Sequence, residues 1–197
     1  MDIVEFQTIC SANGISFTKE QNLAIKRYQE ELIYWNDKVN MVSRKDTERL
    51  LEYHILHSVI ALKYVEVPQK SRCLDVGTGG GLPGIPLAIV RPDLKMLLVD
   101  SIAKKLKTTA MMAAHTGCRH LRAVCARAET LAEDRANRGA FDFIFTRSVA
   151  RMKPILEWVA PLTHDKTQIV FYKGGDLADE IHEARLAFPA LRFTEHP

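Results

Sequence analysis

Residues 73–84 read Cys73-Leu-Asp-Val-Gly-Thr-Gly-Gly-Gly-Leu-Pro-Gly84, where a short apolar run leads into a glycine-rich loop and a proline. Glycines permit positive φ angles and let a ligand lie against bare backbone, and Pro83 or Pro86 can begin a helix. In open α/β sheets ligands bind at the carboxyl ends of strands, where this loop is predicted to lie. The stretch therefore predicts a strand, a binding loop and a helix.

The chain after Pro68 continues with the same alternation of short apolar runs and helical segments. Such an alternation predicts a mostly parallel sheet with helices on both faces, in a doubly wound, Rossmann-like α/β layout. Strands are predicted at 73–76, 96–100, 121–125, 141–146 and 168–172, and helices at 83–90, 102–115, 152–160 and 176–187.

The first third of the chain has the periodicity of amphipathic helices. Thr18 is a candidate N-cap with Gln21 in the capping-box position. A second helix is predicted from about 46 to 64. We predict a helical extension over 1–67 and an α/β domain over 68–197. The residues expected to face inward are Ile25, Tyr28, Leu32 and Trp35 in the first helix and Leu51, Ile55, Val59 and Leu62 in the second.

Composition narrows the class of protein. The chain has 197 residues, 47% of them hydrophobic and 26% charged, as in an ordinary globular domain with an appendage. No apolar run is long enough for a membrane span and no secretory leader is recognisable, so we expect a soluble cytoplasmic protein. The four cysteines are scattered, and we expect reduced thiols and no metal site. His54 and His57 are expected to pack or to face water.

Charge is distributed unevenly along the chain. Residues 1–67 carry eight Lys and Arg against ten Asp and Glu. By contrast, 101–127 contains no acidic residue and six basic ones, which points to an anionic partner. These six are Lys104, Lys105, Lys107, Arg119, Arg122 and Arg127.

Three kinds of ligand compete for the glycine loop. A nucleoside triphosphate is disfavoured because no Lys-Ser or Lys-Thr follows the glycines. A dinucleotide keeps only a degenerate match through Gly77, Gly79, Gly81 and Gly84. Asp75 precedes the loop, where a carboxylate suits a cationic or amine-bearing ligand and opposes a pyrophosphate. S-Adenosylmethionine, a sulfonium nucleoside without phosphates, fits best.

Two further acids follow the next strands. Asp100 at the end of the second strand can accept hydrogen bonds from ribose hydroxyls, although NAD would use an acid there too. Glu129 follows the third strand, near where an adenine edge would lie. The competing structural interpretation makes the loop a tight turn, Asp100 a helix cap and Glu129 a solvated residue. Three acids at successive strand ends favour the sulfonium nucleoside over NAD.

At these positions the sequence resembles the bacterial 16S ribosomal RNA guanine-N7 methyltransferase family, known as methyltransferase G or glucose-inhibited division protein B. The resemblance covers about residues 20–175. It is carried by the motifs D-V-G-T-G-G-G-L-P-G-I-P-L-A-I, L-L-V-D-S-x-x-K-K, R-A-E, F-D-F-I-F-T-R and Y-K-G-G, and by Y-x-x-E-L-I-Y-W-N-x-x-V-N-M-V-S in the extension.

This resemblance implies a class I methyltransferase fold that transfers a methyl group from S-adenosylmethionine to N7 of one guanine in 16S ribosomal RNA. Members usually continue to a closing strand hairpin, whereas this chain ends at Pro197, so we expect the last strand to be absent or shortened. A monomer is expected. By matching position, the cofactor contacts of the family fall on Gly77, Leu82, Ala128, Glu129 and Arg147, with Asp100 and Ser101 in the ribose segment.

The residues after the fourth strand are consistent with that chemistry. The sequence Thr146-Arg147-Ser148-Val149 differs from the N/D-P-P-Y/F motif of exocyclic-amine methylation, and no cysteine follows the fourth or fifth strand. Guanine N7 has an unprotonated lone pair and needs no general base. Arg147 is our candidate catalytic residue, with a role in positioning, and a structural ion pair is the alternative. We expect Arg147→Ala to fold and to lose most of its transfer activity.

Basic residues near the predicted site are candidates for contacts with RNA phosphates. Two other functions stay open: a methyltransferase that acts on a small molecule or a protein, and a nicotinamide-binding oxidoreductase or inactive nucleotide-binding module. The RNA-binding candidates are Lys104, Lys105, Arg151, Lys153 and Lys173.

Overall fold

A computed structural model describes residues 1–118 and 120–196. Five strands form one parallel sheet in the order β3-β2-β1-β4-β5. This is the predicted doubly wound α/β fold. The strands are β1 (Arg72–Val76), β2 (Lys95–Asp100), β3 (Arg122–Cys125), β4 (Phe141–Arg147) and β5 (Thr163–Tyr172).

Helices connect the strands and precede the sheet. The predicted strand and helix segments after Pro68 are confirmed to within a few residues, except that β5 begins five residues earlier. The α-helices are α1 (Ile3–Ala12), α2 (Lys19–Val39), α3 (His57–Val59), α4 (Ala61–Tyr64), α5 (Gly84–Val90), α6 (Ala103–His115), α7 (Met152–Val159) and α8 (Ala178–Ala187).

The predicted second helix of the extension is divided into short pieces. A 3₁₀ helix spans Arg44–Arg49 and a π-helical turn spans Leu51–Leu56, before α3 and α4. Its predicted inward residues Leu51, Ile55 and Val59 are buried, and Leu62 is half-buried. A continuous α-helix is therefore wrong here, although the inward face was predicted correctly. Further 3₁₀ segments lie at Ala128–Glu133, Arg135–Asn137 and Ala160–Leu162.

Helix α2 packs against α5 and α6, and so connects the extension to the α/β part of the chain. Its capping box forms as predicted, with Thr18 Oγ1 accepting from the Gln21 backbone and Gln21 Oε1 accepting from the Thr18 backbone. The Gln21 Nε2 donates to the carbonyls of Ile89 and Val90 at the end of α5, both at 2.9 Å.

One apolar core covers the face of the sheet on which α5 and α6 lie. It also contains Phe6, Ile25 and Leu32 from the first two helices. The other face packs against α7 and the 3₁₀ segment Ala128–Glu133. The division at residue 67 stays a prediction, and packing across it is continuous.

Candidate functional site

The glycine loop between β1 and α5 adopts the predicted left-handed conformations. The φ angles are +68° at Gly77, +53° at Gly79 and +96° at Gly81. A Cβ at Gly77 would collide with the side chain of Val149, whereas a Cβ at Gly79 would meet only backbone oxygens at 3.8 and 3.9 Å. The loop is therefore closed over Gly77 and open over Gly79.

Asp75 lies beneath this loop. Its Oδ2 accepts from Thr78 Oγ1 at 2.6 Å and from the Gly84 amide at 2.9 Å, while Oδ1 is buried without a hydrogen-bond partner. Burial is the largest effect on this carboxyl and raises its pKa to about 6. The carboxylate therefore shapes the loop from below; direct contact with a ligand stays a prediction.

Asp100 ties the end of β2 to the glycine loop. Its Oδ2 accepts from the Gly79 amide at 2.9 Å and its Oδ1 from the Ile102 amide at 2.8 Å. Each carboxylate oxygen keeps a further lone pair for a ligand hydroxyl. The structure thus brings Asp100 and the loop together, as the spacing predicted.

The other predicted cofactor contacts lie around the same edge. The amide of Ala126, directly after β3, donates to the Asp100 carbonyl at 3.2 Å, which brings the Ala128 and Glu129 segment beside β2. Ala128 and Leu82 are buried, whereas Ser101 and Glu129 are exposed. Glu129 Oε1 lies 3.8 Å from Arg127 Nη1. Their contact with a ligand stays a prediction.

Arg147 ends β4 opposite Tyr172 of β5 and turns towards the π-helical turn. It donates to the carbonyls of Tyr53 and His54 at 3.4 Å and also contacts His54 Nδ1. Burial lowers the pKa of the guanidinium. Throughout the part of the chain that the structure describes, no carboxylate pairs with it. The structural ion pair considered above is therefore absent from these residues, and Arg147 is a half-buried cation without a paired carboxylate.

Side chains from α2 and α6 also hold the glycine loop, which the sequence did not indicate. Tyr28 Oη donates to the Gly80 carbonyl at 2.8 Å, and Thr109 Oγ1 from α6 donates to the Gly79 carbonyl at 2.6 Å. Asn36 Oδ1 accepts from the amides of Met41 and Val42, which places Met41 against Gly80. Tyr28 was predicted to be buried, and a buried phenol needs a hydrogen-bond partner; that rule indicates a bond without naming its acceptor.

The predicted RNA-binding residues fall into two groups. Arg151 and Lys153 pair with Glu183 of α8, and Lys173 donates to Glu180 Oε1 at 2.6 Å and to the Ala150 carbonyl at 2.7 Å. On α6, Lys104 donates to the Lys38 carbonyl at 3.3 Å, and Lys105 has no acidic partner among residues 1–118 and 120–196. Arg119 lies outside the described residues. The three cations of the first group are thus paired with two acids of their own chain.

Neither a metal cluster nor a membrane-spanning helix is found within the described ranges. No group of three or more His, Cys, Asp or Glu could hold a metal ion, and no helix has the length and apolar character needed to cross a membrane.

Comparison with known proteins gives one family. Residues 21–195 match the GidB family, described as rRNA small subunit methyltransferase G. The chain is 41% identical to the Ribosomal RNA small subunit methyltransferase G of Cytophaga hutchinsonii over 76% of this chain and 72% of the relative. It is 36% identical to the protein of the same name from Chlorobaculum tepidum over 96% and 88%.

Solved structures support the same fold. A SAM-dependent methyltransferase from Aquifex aeolicus superposes with a TM-score of 0.56 at 16% identity, covering 78% of this chain and 86% of that one. The fibrillarin/Nop5p complex gives 0.55 at 11% identity, covering 69% and 68%. At these identities the likeness concerns the fold alone.

Proposed function

Because this chain belongs to the rRNA small subunit methyltransferase G family, we propose that it transfers a methyl group from S-adenosylmethionine to N7 of a guanine in 16S ribosomal RNA. The observation that carries this proposal is the pairing of an open glycine loop with Asp100 at one sheet edge. The N7 position is what the resemblance described above implies, and the residues around Arg147 are compatible with it.

The residues present fit S-adenosylmethionine. The backbone over Gly79 is open, so a nucleoside can lie against it, and Asp100 offers acceptors to ribose hydroxyls. Arg147 is a half-buried cation without a carboxylate partner among residues 1–118 and 120–196, and a carboxylate of an amino-acid ligand would neutralise it. The Asp75 carboxylate beneath the loop would oppose a pyrophosphate, which disfavours a nicotinamide dinucleotide.

Methyl transfer to guanine N7 depends more on the alignment of the two reactants than on acid or base catalysis. When bound, S-adenosylmethionine supplies an electrophilic methyl group on a sulfonium. Guanine N7 needs no deprotonation. Holding two reactants in line can lower the activation free energy by roughly 7 to 11 kcal/mol. We assign this positioning to Arg147, whose guanidinium can hold the cofactor carboxylate or the O6 of the guanine.

The RNA would approach across α6 and the end of α2. Lys104 and Lys105 lie there, and Lys104 contacts the carbonyl of Lys38. The Lys38 ammonium lies 3.5 Å from the centre of the exposed Tyr34 ring. Cations with an accessible aromatic ring suit phosphates and unstacked bases of single-stranded RNA. We further propose that the protein acts as a monomer in the cytoplasm, which light scattering and fractionation can test.

The test uses labelled S-adenosylmethionine with naked 16S RNA and with small subunits that lack the native modification. Chain cleavage at N7-methylguanine then maps the product. One strong cleavage in 16S RNA is expected from the unaltered chain, and none from Gly77→Val, which cannot adopt the loop conformation. Label that enters a protein or a small molecule instead would overturn the substrate. Stabilisation by NAD, and none by S-adenosylmethionine, would overturn the cofactor.

A further inference from the structure

The π-helical turn Leu51–Leu56 is hydrogen-bonded to the end of β4, and α3, which follows it, is hydrogen-bonded to the end of β5. Arg147 donates to the carbonyls of Tyr53 and His54. Ser58 Oγ donates to the same His54 carbonyl at 2.6 Å, and Tyr172 Oη donates to the Ser58 carbonyl at 2.7 Å. π-Helical turns are rare and occur frequently at functional sites. This turn supplies the hydrogen-bond acceptors that hold the Arg147 side chain.

Three side chains at this turn form a hydrogen-bonded chain. Asp46 Oδ2 lies 3.0 Å from His54 Nε2, and His54 Nδ1 contacts an Nη of Arg147. A guanidinium can only donate, so Nδ1 must be the acceptor and carry no proton. The proton of a neutral ring is then on Nε2, where it is donated to Asp46. The surroundings therefore select one tautomer of His54.

We propose that His54, in this tautomer and oriented by Asp46, is a positioning residue that holds Arg147 in place for methyl transfer, and that protonation of His54 releases Arg147. The inference rests on the proposed function, because only that function gives Arg147 its task. A protonated ring would present an N–H to the guanidinium and add a second cation beside it, so the hydrogen bond would break.

The charged groups around His54 favour the neutral ring. Burial contributes most to lowering the pKa of His54, and Arg147 adds to it, against the opposing effect of Asp46. On the same turn, Glu52 pairs with Arg49, which also lies over the ring of Tyr53. His57 begins α3; its ring lies edge-on to Tyr172, and its pKa is lowered by burial, Arg147 and His54. The charges of Asp75 and Asp46 act in the opposite direction to burial and favour the cation of Arg147.

The test compares His54→Asn with His54→Leu. Asparagine Oδ1 can take the place of Nδ1 and accept from Arg147, but it does not titrate near neutral pH. Single-turnover methyl transfer to the small-subunit substrate is measured from pH 5 to 8. In the unaltered protein the rate should fall about tenfold per pH unit below the His54 pKa. His54→Asn should keep most of the rate at pH 7.5 and lose this acid limb, while His54→Leu should be at least about tenfold slower at every pH.

A matched control is His57→Gln, which removes the neighbouring titratable ring and should keep the acid limb. An acid limb that persists in His54→Asn, or that disappears in His57→Gln, overturns the assignment. Full activity of His54→Leu at pH 7.5 does so as well.

A second readout needs no activity. Nitrogen-15 shifts of the His54 ring, assigned with His54→Asn, should show Nδ1 unprotonated and Nε2 protonated at pH 7.5, and Arg147→Ala should change the Nδ1 signal. The opposite tautomer overturns the inference whatever the enzyme does. If the ring shows the expected tautomer but no methyl enters RNA, the proposed function fails while the contact between His54 and Arg147 stands.

Discussion

The glycine loop and Arg147 lie at the same edge of the sheet and both pack against the N-terminal helices, yet they are held in different ways. Around the loop, carbonyls and amides are bonded to side chains of the chain itself, among them Tyr28, Thr109 and Asp100. Arg147 is half-buried, and its hydrogen-bond acceptors are neutral: two carbonyls and one imidazole nitrogen.

This difference indicates two tasks. A loop whose polar groups are satisfied in advance keeps its shape before a ligand arrives and loses little conformational entropy on binding. A partly desolvated guanidinium without a paired anion is destabilising, and it gains most when a ligand supplies an anion. The loop therefore acts as a preorganised binding site. Arg147 is the group whose interactions are completed by the ligand.

Arg147→Ala should separate these tasks most strongly. We expect methyl transfer to fall at least about 100-fold, as when one charge-stabilising donor is removed from an active site. Cooperative unfolding should be retained, because the side chain removed is a cation without an ion pair. The measurement is single-turnover transfer with a thermal melt. Arg147→Lys is the matched control; a near-normal rate for the alanine variant would remove Arg147 from the site.

Asp75→Asn tests the buried carboxyl group beneath the glycine loop. The folded pKa of Asp75, about 6, exceeds its usual 3.8, so the native state binds the proton more tightly than the unfolded state. The free energy of unfolding therefore loses a contribution as pH rises from about 4 through about 6, by roughly 3 kcal/mol for a shift of about two units.

The asparagine variant does not titrate there and should lack this component, gaining stability relative to the unaltered chain above pH 6. Denaturant unfolding of both proteins at pH 4.5 and 7.5 measures the difference. A stability difference between the two proteins that is the same at both pH values would show that Asp75 is not a buried titrating group.

Tyr28→Phe tests the bond between α2 and the loop. It leaves the Gly80 carbonyl without the phenol donor and should lower the free energy of unfolding by roughly 1 to 3 kcal/mol. Because the loop would be less firmly held, cofactor affinity should weaken more than the rate at saturation. Urea unfolding and a cofactor titration measure both effects. Tyr34→Phe, at an exposed ring on the same helix, should change neither.

The smallest effects should come from surface lysines. Lys104→Ala with Lys105→Ala should weaken RNA binding several-fold and reduce its salt dependence by about one counterion for each phosphate that is no longer bound. Arg151→Ala with Lys153→Ala removes the same charge from residues already paired with Glu183 and should change binding less. Equal losses for the two pairs, measured over a salt series, would contradict the assigned RNA path.

Most of the fold could be predicted because it depends on local patterns. Strands β1, β2 and β4 are apolar runs that end in or next to Asp or Arg, and the glycine loop marks the switch into α5. The same patterns placed Asp100 at the edge of the site. The short pieces between Arg44 and Tyr64 escaped prediction because their apolar residues also match one continuous helix.

The partners of the site residues could not be predicted, since they depend on contacts across long stretches of chain. The bonds of Tyr28 to Gly80 and of Arg147 to His54 join segments 52 and 93 residues apart. The pairing of Arg151 and Lys173 with acids of α8 arises in the same way. Charge counts along a sequence show where cations are and do not show whether they are neutralised.

Gln21 has a consequence for how the chain unfolds. The last carbonyls of a helix have no partners within it, and Gln21 Nε2 supplies a donor to those of Ile89 and Val90. The helix behind the glycine loop is thus completed by the first turn of α2. The N-terminal helices should therefore not fray from a stable remainder; heat should melt them and the sheet in one cooperative transition.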